Sequence, residues 1–210
     1  MKFSPLNDFQ YLAAGETQSF DLEVQATDQH GATAANIVTV TLTGVNDAPT
    51  LAAGTLTATE NDIAVFLDLA TLGDDVDSDD DGTSLSYTLL NAPTGGAASI
   101  AVSGTTLKFS PLDDFQSLAA EQNQSLELEV QASDEHGASV TNTVTVTITG
   151  LNDDPTLASG ALNANEDSAG VTLDLSALGA DIDSDDDGST LTYALLNAPS
   201  GGSASISGTT

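Results

Sequence analysis

Apolar and polar side chains alternate with a period of two along much of this chain. Val144-Thr145-Val146-Thr147-Ile148-Thr149 puts apolar groups on one face and threonines on the other. That is the pattern of a half-buried β-strand. Val38 to Thr43 repeats it, and Leu126-Glu127-Leu128-Glu129-Val130 alternates apolar with acidic positions, predicting one wet face. Val65-Phe66-Leu67-Asp68-Leu69 and Leu85-Ser86-Tyr87-Thr88-Leu89 read as further strands. Ala97 to Val102 and Thr106 to Phe109 flank a predicted turn at Ser103-Gly104, and Leu51 to Ala58 supplies a first strand. Seven strands in about 100 residues, punctuated by Gly and Pro, predict an all-β fold. The expected form is a seven-stranded antiparallel β-sandwich with Greek-key connections. No stretch sustains a 3.6-residue period. Only the segment holding Phe115, Leu118 and Ala119 is predicted to form a short helical turn. Phe66, Tyr87, Phe109 and Phe115 are expected in the core.

The pattern occurs twice. Residues 3–51 align with 109–157 at an offset of 106, with 33 of 49 positions identical. Residues 52–100 align with 158–206 with 30 of 49 identical. AVSGTT after Ile100 becomes SGTT after Ile206, a two-residue deletion. A repeat of this length is one small domain. Each long strand pattern ends at Asn46-Asp47-Ala48-Pro49 or Asn152-Asp153-Asp154-Pro155, where Pro stops sheet pairing. The predicted organisation is a complete repeat at 48–152, the C-terminal half of another at 1–47 and the N-terminal half of a third at 153–210. Such a phase is expected of a piece of a longer tandem array. The two half-repeats are expected to pack poorly or to pair between chains.

Charge narrows the function classes. Asp and Glu number 32 against 2 Lys and Arg, a formal net charge of −30 over 210 residues. Nucleic acid and anionic membrane surfaces need Lys and Arg, so neither is an expected partner. There is no Cys, which removes disulfides, thiol catalysis and zinc-thiolate sites. No run of 18 apolar residues marks a membrane span, and MKFSPLNDFQ has no apolar signal region. Direct membrane insertion is not expected.

Two acidic loops stand out. Asp75-Val76-Asp77-Ser78-Asp79-Asp80-Asp81-Gly82 has a twin in Asp181-Ile182-Asp183-Ser184-Asp185-Asp186-Asp187-Gly188. Five carboxylates in seven residues repel one another unless a cation sits among them. Hard oxygens at alternate positions suit calcium, which takes about 6–8 of them. Asp77-x-Asp79-x-Asp81-Gly82 matches the first half of an EF-hand loop, but position twelve is Thr88, or Ala194 in the twin, so the bidentate Glu is missing. The flanks are strands, which rejects the EF-hand and keeps the calcium loop. The alternative reading is a solvated acidic loop. His30 and His136 recur in one loop beside Asp28 and Asp134, and read as exposed turn residues next to Gly. No nucleophile recurs with a base, so no enzyme is expected. Asn91-Ala92-Pro93-Thr94-Gly95-Gly96 lacks the Lys of a phosphate loop and reads as a hairpin turn.

Glu60 and Glu166 follow the first strand, Asp75-x-Asp77 precedes a Tyr-containing strand, Asp134 and Asp28 end a strand, and Asn-Asp-x-Pro closes the unit. Together these residues resemble the cadherin-repeat pattern. LAAGETQSFDLEVQATDQHGA and VTVTLTGVNDAP are more specifically similar to the bacterial cadherin-like or VCBS-type repeats. Those repeats form the extender regions of RTX adhesins exported by type I secretion.

The resemblance implies tandem cadherin-like or Ig-like sandwiches with calcium at each junction. At the junction after the complete repeat it implies Glu60, Asn152, Asp153, Asp181, Asp183 and Asp185 as ligands. At the junction before, it implies Asn46 and Asp47 with Asp75, Asp77 and Asp134. Asp79 and Asp81 complete the loop pattern read above. The family's Leu-Asp-x-Glu motif has no counterpart, since the chain has Leu112-Asp113-Asp114-Phe115. The ion count per junction is therefore open. The implied function is a calcium-stiffened extender of a large bacterial surface adhesin, serving cell adhesion and biofilm formation. Its partners are the neighbouring repeats, with a cell-surface or glycan ligand met only by distal domains outside this chain. The alternative is a carbohydrate- or partner-binding sandwich module that uses its Thr-rich strands.

Overall fold

The computed structural model describes residues 1–101, 104–197 and 199–209. The predicted Ser103 turn and the last residue of the Ala97–Val102 strand lie outside them. Among the described residues the structure is strands, loops and two short 3-10 turns. The strands are β1 (Thr17–Thr27), β2 (Thr33–Thr43), β3 (Thr50–Leu51), β4 (Gly54–Thr59), β5 (Val65–Asp68), β6 (Gly73–Asp74), β7 (Ser86–Leu89), β8 (Ala97–Ile100), β9 (Thr106–Ser110), β10 (Asn123–Ser133), β11 (Ser139–Thr149), β12 (Thr156–Leu157) and β13 (Gly179–Ala180).

The middle of the chain is a sandwich. One sheet has the order β4-β11-β10-β7, the other β5-β9-β8, and β3 pairs with β6. β10 and β11 form an antiparallel hairpin along their whole length, while β4 runs parallel to β11. Alternation explains the faces. Leu126, Leu128, Val130, Val144, Val146 and Ile148 point inward and are buried, and Glu127 and Glu129 between them are exposed. Leu107 and Phe109 of β9 meet them from the other sheet, and Leu69, Leu85, Tyr87, Phe115 and Leu118 close the core. The all-β sandwich expected from the sequence is the fold observed, with one parallel pairing, β4 on β11, where every pairing was expected antiparallel.

Several local expectations differ. The single strand over Leu51–Ala58 is broken into β3 and β4, which pair with different partners. The break lets one segment change sheets, and Asn142 Nδ2 donates to Leu51 O at 2.7 Å beside it. The predicted strand Val65–Leu69 ends at Asp68, whose carboxylate accepts from Ala70 N and caps the 3-10 turn Leu69–Thr71. Phe66, expected in the core, is 61% exposed, because Val65 and Leu67 take the inward positions of β5. The segment around Phe115 forms consecutive hydrogen-bonded turns and no helix. With the two bridges β3 and β6, the repeat has nine pairing segments where seven were expected.

The flanking parts repeat some of these pairings. β1 and β2 keep the full hairpin of β10 and β11, in a matching register. Among the described residues from 153 on, only the β12–β13 bridge and the 3-10 turn Leu175–Ala177 are regular. The reason is partnership. The twins of β4 and β7 need a hairpin like β10–β11, and the twins of β5 and β8 need a strand like β9; a strand without its ladder leaves backbone groups unpaired.

Candidate metal centres

Local sequence shapes each acidic element first. In the Asp-rich loop, Asp75 Oδ1 accepts from Asp77 N at 3.1 Å, which curls the backbone. Asp81 Oδ1 accepts from Thr83 N at 2.7 Å and Thr83 Oγ1 at 2.6 Å, closing the loop's far end. Those hydrogen bonds hold the Asp81 carboxyl below its usual range. Tyr87 then ties the loop to the sandwich, its hydroxyl donating to Gly82 O at 2.8 Å. The twin loop repeats this: Asp183 N donates to Asp181 Oδ1 at 3.0 Å, and the Tyr193 hydroxyl to Gly188 O at 2.6 Å. At the end of β10, Asp134 Oδ1 accepts from His136 N and Ala138 N, both at 2.9 Å, around Gly137 at φ +91°. A positive φ at that place suits Gly. Asp28 makes the same turn with His30 N and Ala32 N.

The linkers bring these elements together. Before the sandwich, Asn46 Nδ2 donates to Asp134 Oδ2 at 3.0 Å, and Asp47 N donates to Asp77 Oδ2 at 2.8 Å. Asn46, Asp47, Asp75, Asp77 and Asp134, separated by up to 88 residues, therefore share one locus. After the sandwich, Leu151 N donates to Glu60 Oε1 at 2.8 Å, and Asp153 N donates to Asp183 Oδ2 at 2.9 Å. Glu60, Asp153, Asp181 and Asp183 share the second locus. Asn152 turns its amide onto Asp153 O at 2.6 Å and is exposed.

Electrostatics at both loci are unfavourable for carboxylates alone. Burial pushes the Glu60 carboxyl up against the pull of Leu151 N–H, and the charges of Asp153 and Asp183 push it further. Burial also raises Asp77, partly offset by Asp47 N–H and reinforced by Asp75, Asp47 and Asp79. Asp134 is pushed up by burial, but hydrogen bonds from Asn46 and from the backbone of Ala138, Gly137 and His136 outweigh it and leave the group lowered.

Seven buried side-chain oxygens among the described residues have no hydrogen-bond partner: Asn46 Oδ1, Asp75 Oδ2 and Asp77 Oδ1 at the first locus, Glu60 Oε2, Asp153 Oδ2 and Asp183 Oδ1 at the second, and Asp80 Oδ2. All are acceptors. A buried acceptor without a donor is costly, and a hard cation is the partner that acceptor-only oxygens fit. The donor set fits calcium on chemistry alone.

Not every predicted ligand joins these groups. Asp81 spends an oxygen on Thr83 and Ser84 and is exposed. Asp185 is exposed and without a hydrogen bond to either group. Asp79 stands with Glu135 and His136, their ligand atoms within 4.8 Å of one another and all exposed. Conversely, the sequence reading passed over Asp80, which is buried and accepts from Ser84 Oγ at 2.8 Å. It also missed a metal-free contact across each linker. Ser78 N donates to Tyr11 O at 2.9 Å and Ser78 Oγ to Glu16 Oε2 at 3.0 Å. Ser184 N and Oγ repeat this on Ser117 O and Gln122 Oε1, both at 3.0 Å. Recurrence of Ser at the offset of 106 was the available signal.

Comparison with known proteins bears on the sandwich. Residues 46–147 match the family model described as a bacterial Ig domain. No curated protein matches. Among solved structures, the extracellular cadherin domains 1–5 of protocadherin gamma B2 superpose with a TM-score of 0.51 at 16% identity, over 80% of this chain and 32% of that one. Domains EC22–24 of mouse cadherin-23 give 0.42 at 19% identity, over 63% and 42%. An endo-fucoidan hydrolase of glycoside hydrolase family 107 gives 0.35 at 14% identity, over 67% and 21%. The chain thus spans less than half the length of each of these structures. The protocadherin likeness, with the bacterial Ig match, shows a cadherin-like or Ig-like sandwich.

Proposed function

We propose that this chain is a calcium-stiffened structural module, a segment of the extender of a bacterial surface adhesin with no catalytic role. The observation that carries the proposal is the placement of the unpartnered oxygens. Six of the seven sit at the two linkers that join the sandwich to its flanking parts. In this reading the repeat runs over 48–152, with half-repeats at 1–47 and 153–210.

Calcium, when bound, supplies positive charge and a demand for several oxygens at once. The chain's residues do the positioning. Asn46 and Asp47 would hold it from the linker, Asp75 and Asp77 from the curled loop, and Asp134 from the end of β10. At the second linker Glu60 would hold it from the end of β4, with Asn152, Asp153, Asp181 and Asp183. The second set takes Glu60 from the sandwich and Asp181 and Asp183 from beyond the linker, so ligation there would make both sides part of one coordination shell. The first set fixes its linker to the sandwich alone. Without a cation, the same carboxylates repel across the linker. Modules of the extracellular kind bind calcium with Kd about 10⁻⁴ to 10⁻³ M, which suits a bacterial cell surface and export as an unfolded, cysteine-free chain by type I secretion.

Melting and small-angle scattering of the 210-residue chain, with chelator and then with millimolar calcium, test this. The melting temperature is expected to rise and the linkers to stiffen into a narrower, extended particle. Identical melting and scattering in both buffers would overturn the proposal.

A further inference from the structure

Each Asp-rich loop reaches across its linker to the preceding part of the chain, and no carboxylate of the loop takes part in the contact. Ser78 N donates to Tyr11 O at 2.9 Å, and Ser78 Oγ to Glu16 Oε2 at 3.0 Å. Ser184 N and Oγ make the same pair of bonds to Ser117 O and Gln122 Oε1, each 3.0 Å long. Donors and acceptors alike recur at the repeat offset of 106. Both linkers therefore carry one contact at equivalent places, built from a backbone N–H and a hydroxyl. The hydroxyl needs only a side-chain Oε, which Glu and Gln have in common.

The receiving oxygen is held in place by its own turn. Glu16 Oε2 also accepts from Ala13 N at 3.2 Å, and Gln122 Oε1 from Ala119 N at 3.1 Å. Each turn is bonded twice to the glycine that follows its hairpin. Gly15 N donates to Gly44 O and Gly44 N to Glu16 O, while Glu121 N donates to Gly150 O and Gly150 N to Gln122 O. The approach is close: a Cβ at Gly44 would stand 2.2 Å from Ala13 O, and one at Gly150 2.4 Å from Ala119 O. The turn thus moves with its hairpin. On the other side, the residue before each serine grips the linker, since Asp77 Oδ2 accepts from Asp47 N and Asp183 Oδ2 from Asp153 N. Adjacent residues of one loop hold the linker and the preceding repeat.

We propose that these serine contacts set how each repeat is turned against the one before it, and that a bound cation stiffens an orientation it does not choose. The inference rests on the tandem-repeat reading of the chain, and its docking partner is the turn 11–16 or 117–122 of the preceding repeat. Calcium accepts a flexible coordination geometry. Hydrogen bonds are directional and weaken steeply when bent, so two of them from one residue leave little freedom to swivel. The serine hydroxyl bonds are exposed to water, where a hydrogen bond adds little net stability. They select among orientations and leave the melting temperature almost unchanged. The two linkers differ in charge, because Glu16 is an acid and Gln122 an amide. An acid in place of the serine is repelled at the first linker, whereas at the second it can accept from the Gln122 amide.

Distances between nitroxide labels on the full chain, read by pulsed electron spin resonance, test this. The chain has no Cys, so Gln25→Cys on β1 and Thr88→Cys on β7, both exposed positions, carry the labels on either side of the first linker. With no other change, the mean distance is expected to be the same in chelator and in millimolar calcium, and only the width to narrow with calcium. Ser78→Ala, which removes the hydroxyl bond alone, should widen the distribution. Ser78→Asp should shift the mean in both buffers, and adding Glu16→Gln should bring it back. A loop that had merely misfolded would not be restored by an uncharged side chain on the preceding repeat. Ser184→Asp should leave this distance as it is. An unmoved mean in Ser78→Asp overturns the proposal, and so does a mean that moves with calcium when both serines are intact. A width that ignores calcium while the mean still answers to Ser78→Asp supports the serine contact and overturns calcium stiffening instead.

Discussion

Glu60 is a carboxylate with 1% of its surface exposed, one oxygen on Leu151 N–H and the other without a partner. Removing its charge has opposite effects with and without a cation. Glu60→Gln should weaken calcium binding at the second linker by about tenfold or more, leaving the first linker unchanged, as read by calorimetric titration. In chelator the same variant should melt no lower than wild type, because a buried, repelled charge is gone. Proton linkage gives a second outcome. Glu60 and Asp77 titrate above their ordinary values of 4.5 and 3.8, so the folded chain binds protons more readily than the unfolded one. The metal-free protein should therefore gain stability as pH falls through the raised values toward the ordinary ones, and lose it as pH rises. Asp134 is lowered from 3.8; its contribution is lost only in more acidic solution and does not cancel the effect in that window. Thermal melts in chelator across mildly acidic to neutral pH check the sign. The Asp-rich loops were legible as ligand candidates because oxygens at alternate positions recur in both copies, whereas Glu60, Asp134, Asn46 and Asn152 were implied only by the resemblance to cadherin-like repeats. Asp81 was legible only as an acid, since nothing in its spacing distinguishes a ligand from a residue that closes its own turn on Thr83.

Strands and loops differ in how far the chain's local chemistry decides them. β10 and β11 follow directly from alternation, and so does the wet face at Glu127 and Glu129. The Asp-rich loop depends on an attachment that alternation does not reveal. The Tyr87 hydroxyl is buried, held up to about 12 by burial and by Asp68 and Asp81, and donates to Gly82 O. Gly73 makes room for it, because a Cβ there would stand 2.2 Å from the hydroxyl oxygen. Tyr87→Phe removes that hydrogen bond and frees the loop. Its cost should be about 1 kcal/mol in denaturant unfolding, with weaker calcium affinity at the first linker alone. The break between β3 and β4 was hidden because both pieces are apolar and Thr-rich. Phe66 was misplaced because size suggested the core, whereas its parity on β5 puts it outside.

At the scale of the whole molecule, stability is uneven. The central sandwich has both sheets and a closed core, while the described residues from 153 on have only the β12–β13 bridge for pairing and the first hairpin has one open face. Limited proteolysis of dilute chain should cut first within 158–174, then near the tip of the first hairpin around His30, and leave a resistant fragment close to 48–152. Protection of all three parts in dilute monomer is the contrary result.

By itself the sequence determined the all-β class, the repeat and its phase, the linker positions and the acid-rich loops, because each is written in neighbouring residues or in a fixed offset. The tertiary structure alone decided which acids meet. Asn46 and Asp134 are far apart in the chain, and only the packing of the linker against the end of β10 joins them. It also decided which strands exist, since an alternating segment becomes a strand only where another segment completes its ladder. β4 has β11, and the twin segment after Gly160 has no such neighbour among the described residues.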